Sequence, residues 1–381
     1  MALCRPAQTG KLAQQMPKTC RPGENMRRIF TILVIGLIIL AGFAYLLRGP
    51  IALAIVERVA DRTLAQDVPK ELPDGLAIGL CGAGSPMTDP DRAGPCVAVV
   101  AGGHLYVVDI GEGSQRNLNR MGLSPGRVEA LFLTHFHSDH IDSMGALMLG
   151  HWAAGAAKAP LDIYGPEGVA SVVAGFNAAY TLDSTYRTAH HGADIVPPEG
   201  FGGLAHTFTL SGDAPEVIFA QGDLKVSAFV VNHKPIDPAV GYVFEYKGRK
   251  IVISGDTAKS PNVQAAAQGA DVLAHEALSE PLVAILANAA KKAGKLNVEK
   301  IMHDIPNYHT SPEQAAEIAR DAGVGYLLYY HIVPGLPLPG LDVTFLGRAA
   351  DIYKGPMRIG RDGDMLVLPA GSKVITLTKR F

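Results

Sequence analysis

The chain has 381 residues, 48% hydrophobic and 18% charged, which is enough apolar material for one large core or two modest ones and unlike a disordered protein. Lys and Arg number 34 against 36 Asp and Glu, so no general basic excess exists to hold a polyanion by counterion release. Gly at 42 and Pro at 26 are frequent, which argues against a long helical bundle and for short strands joined by tight turns.

Residues 1–25 are polar and aperiodic, and a disordered tail is expected over residues 1–28. Residues 29–47 carry no charge, a run long enough to cross a hydrocarbon core of roughly 30 Å at about 1.5 Å per residue. Residues 29–48 are therefore expected to anchor the chain in a lipid bilayer. Lys18, Arg21, Arg27 and Arg28 precede the span and Arg48 and Arg58 follow it, a bias that puts the N-terminus inside and the body outside the cytoplasm, in the periplasm of a bacterium. The alternative is a signal segment cleaved near Ala52-Leu53-Ala54, leaving a secreted protein. Residues 49–72 read as a linker, with a short amphipathic helix over 56–64, and residues 73–381 as a single domain.

The domain opens with strands over 76–81, 96–101 and 104–109, the last two joined by a Gly102-Gly103 hairpin turn, and then a helix over 114–121. None of the four cysteines falls in a C-x-x-C pair, which excludes the signal of a zinc ribbon or a thioredoxin-type motif. Cys81 ends one strand and Cys96 begins the next, so antiparallel pairing would bring their Cβ atoms within the roughly 3.5–4.5 Å that a disulfide needs. Two buried free thiols are the alternative.

The apolar run Ala130-Leu131-Phe132-Leu133 reads as a buried strand, and directly behind it stands Thr134-His135-Phe136-His137-Ser138-Asp139-His140. Imidazole and carboxylate suit zinc and other first-row divalent ions, and a loop leaving a strand points several side chains at one spot. A helix over 143–154, a strand over 161–164 and a helix over 166–180 follow. Residues 181–222, with His190, His191 and Pro197-Pro198, read as a loop or lid over the site and as the seat of specificity. Two hairpins come next, turning at Gln221-Gly222-Asp223 and at Lys247-Gly248-Arg249, and helix then alternates with strand. His233, Asp256 and His331 each stand where a buried strand stops, the place where loops on a rigid scaffold converge. Periodicity alone gives an α/β protein.

In this order, H-x-H-x-D-H followed by His233, Asp256 and His331 resembles the ligand series of the metallo-β-lactamase-fold hydrolases. His275-Glu276-Ala277 and Tyr308-His309-Thr310-Ser311 are similar to elements of the tRNase Z and arylsulfatase-like branch. The resemblance implies a four-layered αββα sandwich and two divalent ions, zinc foremost. His135, His137 and His233 would hold one ion, Asp139, His140 and His331 the other, with Asp256 bridging. It implies hydrolysis by a metal-activated water, with His309 serving the leaving oxygen and counted with Asp139 among the catalytic residues, and with His275 orienting a ligand. Asp256 stands where the cysteine-ligated β-lactamases of the fold differ, Leu278 replaces a Thr, and no basic arm suited to tRNA is evident. The expected substrate is thus a small phosphodiester or sulfate ester. Nucleic acid is an unexpected partner, a homodimer stays open, and β-lactam or lactone hydrolysis, tRNase Z-like ribonuclease action and a non-catalytic scaffold are the alternatives.

Overall fold

The computed structural model describes residues 22–381, so the expected tail lies, up to residue 21, outside the described residues. The described chain divides after Gln66 into two units.

The first unit is one helix, Pro22–Ala65. Among the described residues it is the one helix long and apolar enough to cross a membrane. Residues 49–65, expected as linker with a separate short helix, instead continue it: apart from Gly49 and Pro50 the stretch is led by Ala, Leu and Arg, which are strong helix formers.

The second unit runs from Asp67 and is built on two sheets. The first receives β1 (Gly75–Gly82), β2 (Cys96–Ala101), β3 (His104–Val108), β4 (Val128–Phe132), β5 (Leu161–Gly165) and β6 (Gly203–Thr207). The chain then crosses to the second sheet for β7 (Glu216–Gln221), β8 (Leu224–Val230), β9 (Val240–Tyr246), β10 (Arg249–Ile253), β11 (Val272–Leu278), β12 (Leu327–Val333) and β13 (Met357–Ile359). It returns to the first for β14 (Asp364–Pro369) and β15 (Thr376–Lys379), which pair beyond β1.

The central strands β1, β2, β11 and β12 are buried at every position, and so their sequences are apolar on both faces rather than alternating, interrupted only by His275-Glu276 in β11 and His331 in β12. Between the sheets Phe132 packs against Tyr164, Tyr242, Phe244 and Phe219 at centroid distances of 5.2–5.7 Å. Outside the first sheet lie Leu118, Leu147 and Val173 of three helices; outside the second lie Val263, Ile318 and Phe345 of three more. Helices thus cover both outer faces, and the four-layered sandwich is the one the resemblance implies.

The lid expected over 181–222 is not there. The helix expected to end near residue 180 starts at Val169 and runs to His191, and β6 and β7 form the open edges of the two sheets. β6 buries only one residue and so carried no apolar pattern to read, whereas β7 is the first arm of the hairpin expected to turn at Gln221-Gly222-Asp223. Cys81 and Cys96 are joined as a disulfide, their Cα atoms 5.0 Å apart where β1 and β2 pair with a register shift. The bond closes the loop of residues 82–95.

Candidate metal centre and active site

All seven predicted ligands come together at one end of the two sheets. Leu133 and Thr134 extend β4 into the loop carrying His135 and His137, and a single helical turn, Ser138–Ile141, presents Asp139 and His140. His233 lies three residues beyond β8 and Asp256 three beyond β10. His331 does not end its strand as expected but lies inside β12, at a register shift against β11 and with φ at 46°.

Asp256 is the hub. Its Oδ2 is 3.2 Å from His331 Nε2, 3.3 Å from His140 Nε2, and 4.0 Å from Nε2 of both His135 and His233. On one side His137 Nδ1 is 2.9 Å from His135 Nε2 and 3.4 Å from His233 Nε2. On the other, Asp139 Oδ2 is 3.3 Å from His331 Nε2 and 3.5 Å from His140 Nε2. Two donor groups are therefore contiguous through Asp256.

Imidazole nitrogens this close cannot all be hydrogen-bonded to one another, and His140 Nε2 and Asp256 Oδ1 are buried with no partner. Buried polar atoms are normally satisfied. Nitrogen and oxygen donors converging with unused lone pairs fit divalent cations.

The far ring nitrogens are held by the protein. His140 Nδ1 donates to Asp109 Oδ2 at 2.9 Å, His135 Nδ1 lies 3.1 Å from Thr134 Oγ1, and His233 Nδ1 donates to the Tyr308 carbonyl at 3.0 Å. Such partners fix the tautomer that leaves the other nitrogen free to bind. Electrostatics divides the cluster. Burial holds His135 well below the ordinary imidazole range, with the neighbouring imidazoles adding to it, and burial also lowers His137 and His233. Burial opposes protonation of His140 too, yet Asp256, Asp139 and Asp109 together raise it well above that range.

His309 stands just before the helix Pro312–Asp321, whose start is fixed by a Ser311/Gln314 capping box. Its Nδ1 is 3.2 Å from Glu276 Oε2, while Glu276 Oε1 accepts from the amides of Thr310 at 2.8 Å and Thr257 at 3.3 Å. Burial works against a proton on His309, but the Glu276 carboxylate outweighs it and the net direction is up.

His275 is not an orienting residue. It is fully buried, its Nδ1 lies 2.7 Å from the Glu276 carbonyl, and it pairs with Tyr329 on the outer face of the second sheet. Side chains alternate along a strand, so Glu276 faces the site and His275 does not.

The donors open into a cavity of about 370 Å³ whose other walls are Met87, Ile301, Met302, Ile305, Tyr308 and Val333. Among the described residues no Lys or Arg lines it, and nothing from residues 181–222 does. Sequence reasoning missed this wall because its residues come from a loop and a helix with no chemical signature. It missed Asp109 and Thr134 as orienting residues, although a buried-strand end followed by Asp109-Ile110-Gly111 was visible.

A sequence model described as a beta-lactamase superfamily domain matches residues 107–332, which contain every residue of the centre. A protein named ribonuclease Z from Mycobacterium sp. (strain KMS) is 34% identical over 288 residues, 75% of this chain and 94% of the relative. A ribonuclease Z of Mycobacterium bovis (strain BCG / Pasteur 1173P2) is 34% identical over 289 residues, 75% of this chain and 96% of its own length. Among solved structures, the metallo-beta-lactamase fold protein YhfI from Bacillus subtilis superposes at TM-score 0.55 with 18% identity, covering 77% of this chain and 99% of its own. The short form of human tRNase Z does so at 0.54 with 22% identity, again 77% and 99%.

Fold and donor set define a metallo-β-lactamase-fold hydrolase, a class whose members use divalent metal ions, typically zinc. Within that class the chain belongs to the tRNase Z-like branch.

Proposed function

We propose that the protein is a binuclear zinc hydrolase of small phosphodiesters whose leaving group is apolar, anchored in a bilayer by residues 29–48 with its domain outside the cytoplasm. The observation that carries the reading is the Asp256-centred donor cluster opening into an apolar cavity that no Lys or Arg among the described residues lines. The relatives' name supports a phosphodiester bond as the target. It also stands against nucleic acid as an unexpected partner, but a polynucleotide needs cations along its backbone, and this cavity offers aliphatic side chains instead.

His135, His137 and His233 would hold one ion, Asp139, His140 and His331 the second, and Asp256 both. Two such ions supply an activated water at neutral pH and neutralise charge on the ester oxygens. The chain's own residues do the rest. Asp109, Thr134 and the Tyr308 carbonyl keep the imidazoles in their binding tautomers. Glu276 keeps a proton on His309, whose Nε2 is the ring nitrogen not turned toward Glu276, and that proton passes to the leaving oxygen as its bond to phosphorus breaks. Met87, Ile301, Met302 and Ile305 receive the apolar group and exclude water around it. The Cys81–Cys96 disulfide, which persists outside a reducing cytoplasm, supports the extracytoplasmic address.

Turnover of an aryl phosphodiester, an aryl sulfate, a lactone, a cephalosporin and an unprocessed tRNA by the zinc-loaded full chain in detergent decides between readings. The phosphodiester is expected to turn over fastest. Faster cleavage of the tRNA or of the cephalosporin overturns the proposal.

A further inference from the structure

The helices Glu280–Lys292 and Leu296–Asp304 form a packed hairpin at the pocket's apolar wall. Inward, Val283, Ala287, Met302 and Ile305 make a small core with Leu278 and Val333. Outward, the hairpin behaves unlike a solvated surface. Ile285 is 62% exposed, Leu286 40%, Leu296 70% and Ile301 51%. Every residue from 291 to 297 at its turn is exposed, and that turn carries Lys291, Lys292 and Lys295, with Lys300 one helical turn on. Lys291 reaches Glu299 at 3.6 Å and Lys300 pairs with Asp304, while Lys292 and Lys295 meet no carboxylate among the described residues.

Large apolar side chains interleaved with unpaired lysines on amphipathic helices suit one partner chemistry, the interface of an anionic bilayer. The apolar groups enter the acyl boundary and the ammonium groups meet lipid phosphates. A solvated face would carry the charges without the isoleucines and leucines, and a protein interface core is depleted in Lys.

We propose that this hairpin docks on the surface of an anionic lipid bilayer. Ile301 is exposed on the hairpin and also lines the cavity. Docking therefore puts the apolar wall of the active site at the lipid interface, and the substrate class becomes amphiphilic phosphodiesters drawn from the membrane. That last step rests on the hydrolase reading above; the docking itself does not.

The test uses the full chain in vesicles, with Cys4→Ser and Cys20→Ser as background and an environment-sensitive fluorophore on Leu296→Cys. A second preparation carries the fluorophore at Leu182→Cys, an exposed position on another helix. Flotation with the vesicles reads the anchor separately from docking. In vesicles containing phosphatidylglycerol, spin-labelled lipid is expected to quench the label at 296 at least severalfold more than the label at 182. Lys292→Gln with Lys295→Gln should weaken the docking equilibrium by about fivefold per lysine removed and so bring quenching at 296 down toward that at 182, with turnover of a soluble aryl phosphodiester unchanged. Equal quenching at 296 and 182, or quenching at 296 that is the same in phosphatidylcholine alone, overturns the proposal. A label at 296 shielded only as protein concentration rises also overturns it, in favour of self-association. Loss of docking with hydrolysis intact sinks this inference and leaves the hydrolase standing.

Discussion

Asp109→Asn tests whether the residues behind the donors, rather than the donors alone, set metal affinity. Asp109 Oδ1 accepts from the Thr134 amide at 2.8 Å, and Oδ2 accepts from Thr134 Oγ1 at 2.8 Å and from His140 Nδ1 at 2.9 Å. A carboxylate only accepts, so one His140 proton is held on Nδ1, and Nε2, which faces Asp256 and Asp139, is the nitrogen that would give up its proton to a metal ion. Asparagine has one accepting oxygen. Kept on the Thr134 amide, it turns its own NH2 toward His140 Nδ1, which must then accept, and the imidazole proton moves to Nε2 where it blocks the metal position. The opposite amide orientation leaves the buried Thr134 N–H facing a donor, at about 1–3 kcal/mol. The first arrangement is therefore preferred. Losing an orienting partner costs about 10–100-fold in metal affinity, or about 1.4–2.7 kcal/mol. The loss should fall mainly on the site of His140, which Asp109 touches directly, because Asp109 reaches His135 only through Thr134 Oγ1 and does not touch His137 or His233. In a chelator competition with the purified full chain, one zinc step should weaken by that factor while the other holds and the melting temperature changes little. Both affinities within twofold of wild type would refute the orienting role. Loss of both together with loss of near-UV circular dichroism would show that Asp109 serves the fold instead.

His309→Ala should slow phosphodiesters with alkyl leaving groups by about 10²–10⁴ and nitrophenyl esters far less, with zinc content unchanged; equal losses on both would contradict its service to the leaving oxygen. Met302→Lys, placing a charge on the apolar wall, should raise KM for aryl and alkyl phosphodiesters severalfold more than for dimethyl phosphate, and a uniform effect would remove the wall from specificity. Asp362 accepts from the amides of Ala83 and Ala93 and from Asn117, pinning the loop that carries Met87, yet burial pushes its carboxyl up to about 6. A raised folded value means that its contribution to stability is fully present below about pH 4 and is lost as pH rises through 6, a span of about 3 kcal/mol at about 1.36 kcal/mol per pKa unit. The unfolding free energy of wild type minus that of Asp362→Asn should therefore fall by most of that span, about 2 kcal/mol, between pH 4 and pH 7, and a flat difference would count against it.

Most of the site was legible because its chemistry is carried by residue types that have no cheaper structural use there. His135, His137, Asp139 and His140 lie within six residues behind an apolar strand, and His233 and Asp256 follow strands recognisable by their hairpin turns. What the sequence hid is carried by ordinary residues or by parity. Residues 181–222 looked like a lid because the edge strand β6 buries too little to alternate, whereas the helix beside it ran on to Gly192, where the backbone adopts φ of 89°. The wall of the cavity hid in Ile301, Met302 and Ile305, which read as any amphipathic helix would. His275 was misassigned because its motif was read without the alternation of β11, which turns Glu276 rather than His275 toward His309 and the candidate site.

His331 shows how far local geometry decides the site. Along β12, Leu328 and Tyr330 face the core between the sheets, and Leu327 and Tyr329 face the outer helices. Strict alternation would send residue 331 to the outer face with Tyr329 and bring Ile332 inward. Instead Ile332 packs in the outer cluster, because β12 takes one extra residue between the pairs Glu276↔Tyr330 and Ala277↔Ile332. The extra residue is His331, held at φ of 46°, a left-handed conformation that costs a non-glycine residue about 1–2 kcal/mol. A bulge re-aims one side chain while the strand on either side keeps its packing. Here it turns an imidazole out of the sheet's outer layer and places its Nε2 3.2 Å from Asp256 and 3.3 Å from Asp139. The cost is offset by the buried strand around it, and the only other non-glycine residue at positive φ in the centre is Asp109, which holds His140. Both strained residues thus belong to the same half of the centre, the Asp139, His140 and His331 half. That half depends on backbone geometry that no residue type specifies, whereas the His135, His137 and His233 half is set by loops leaving regular strands.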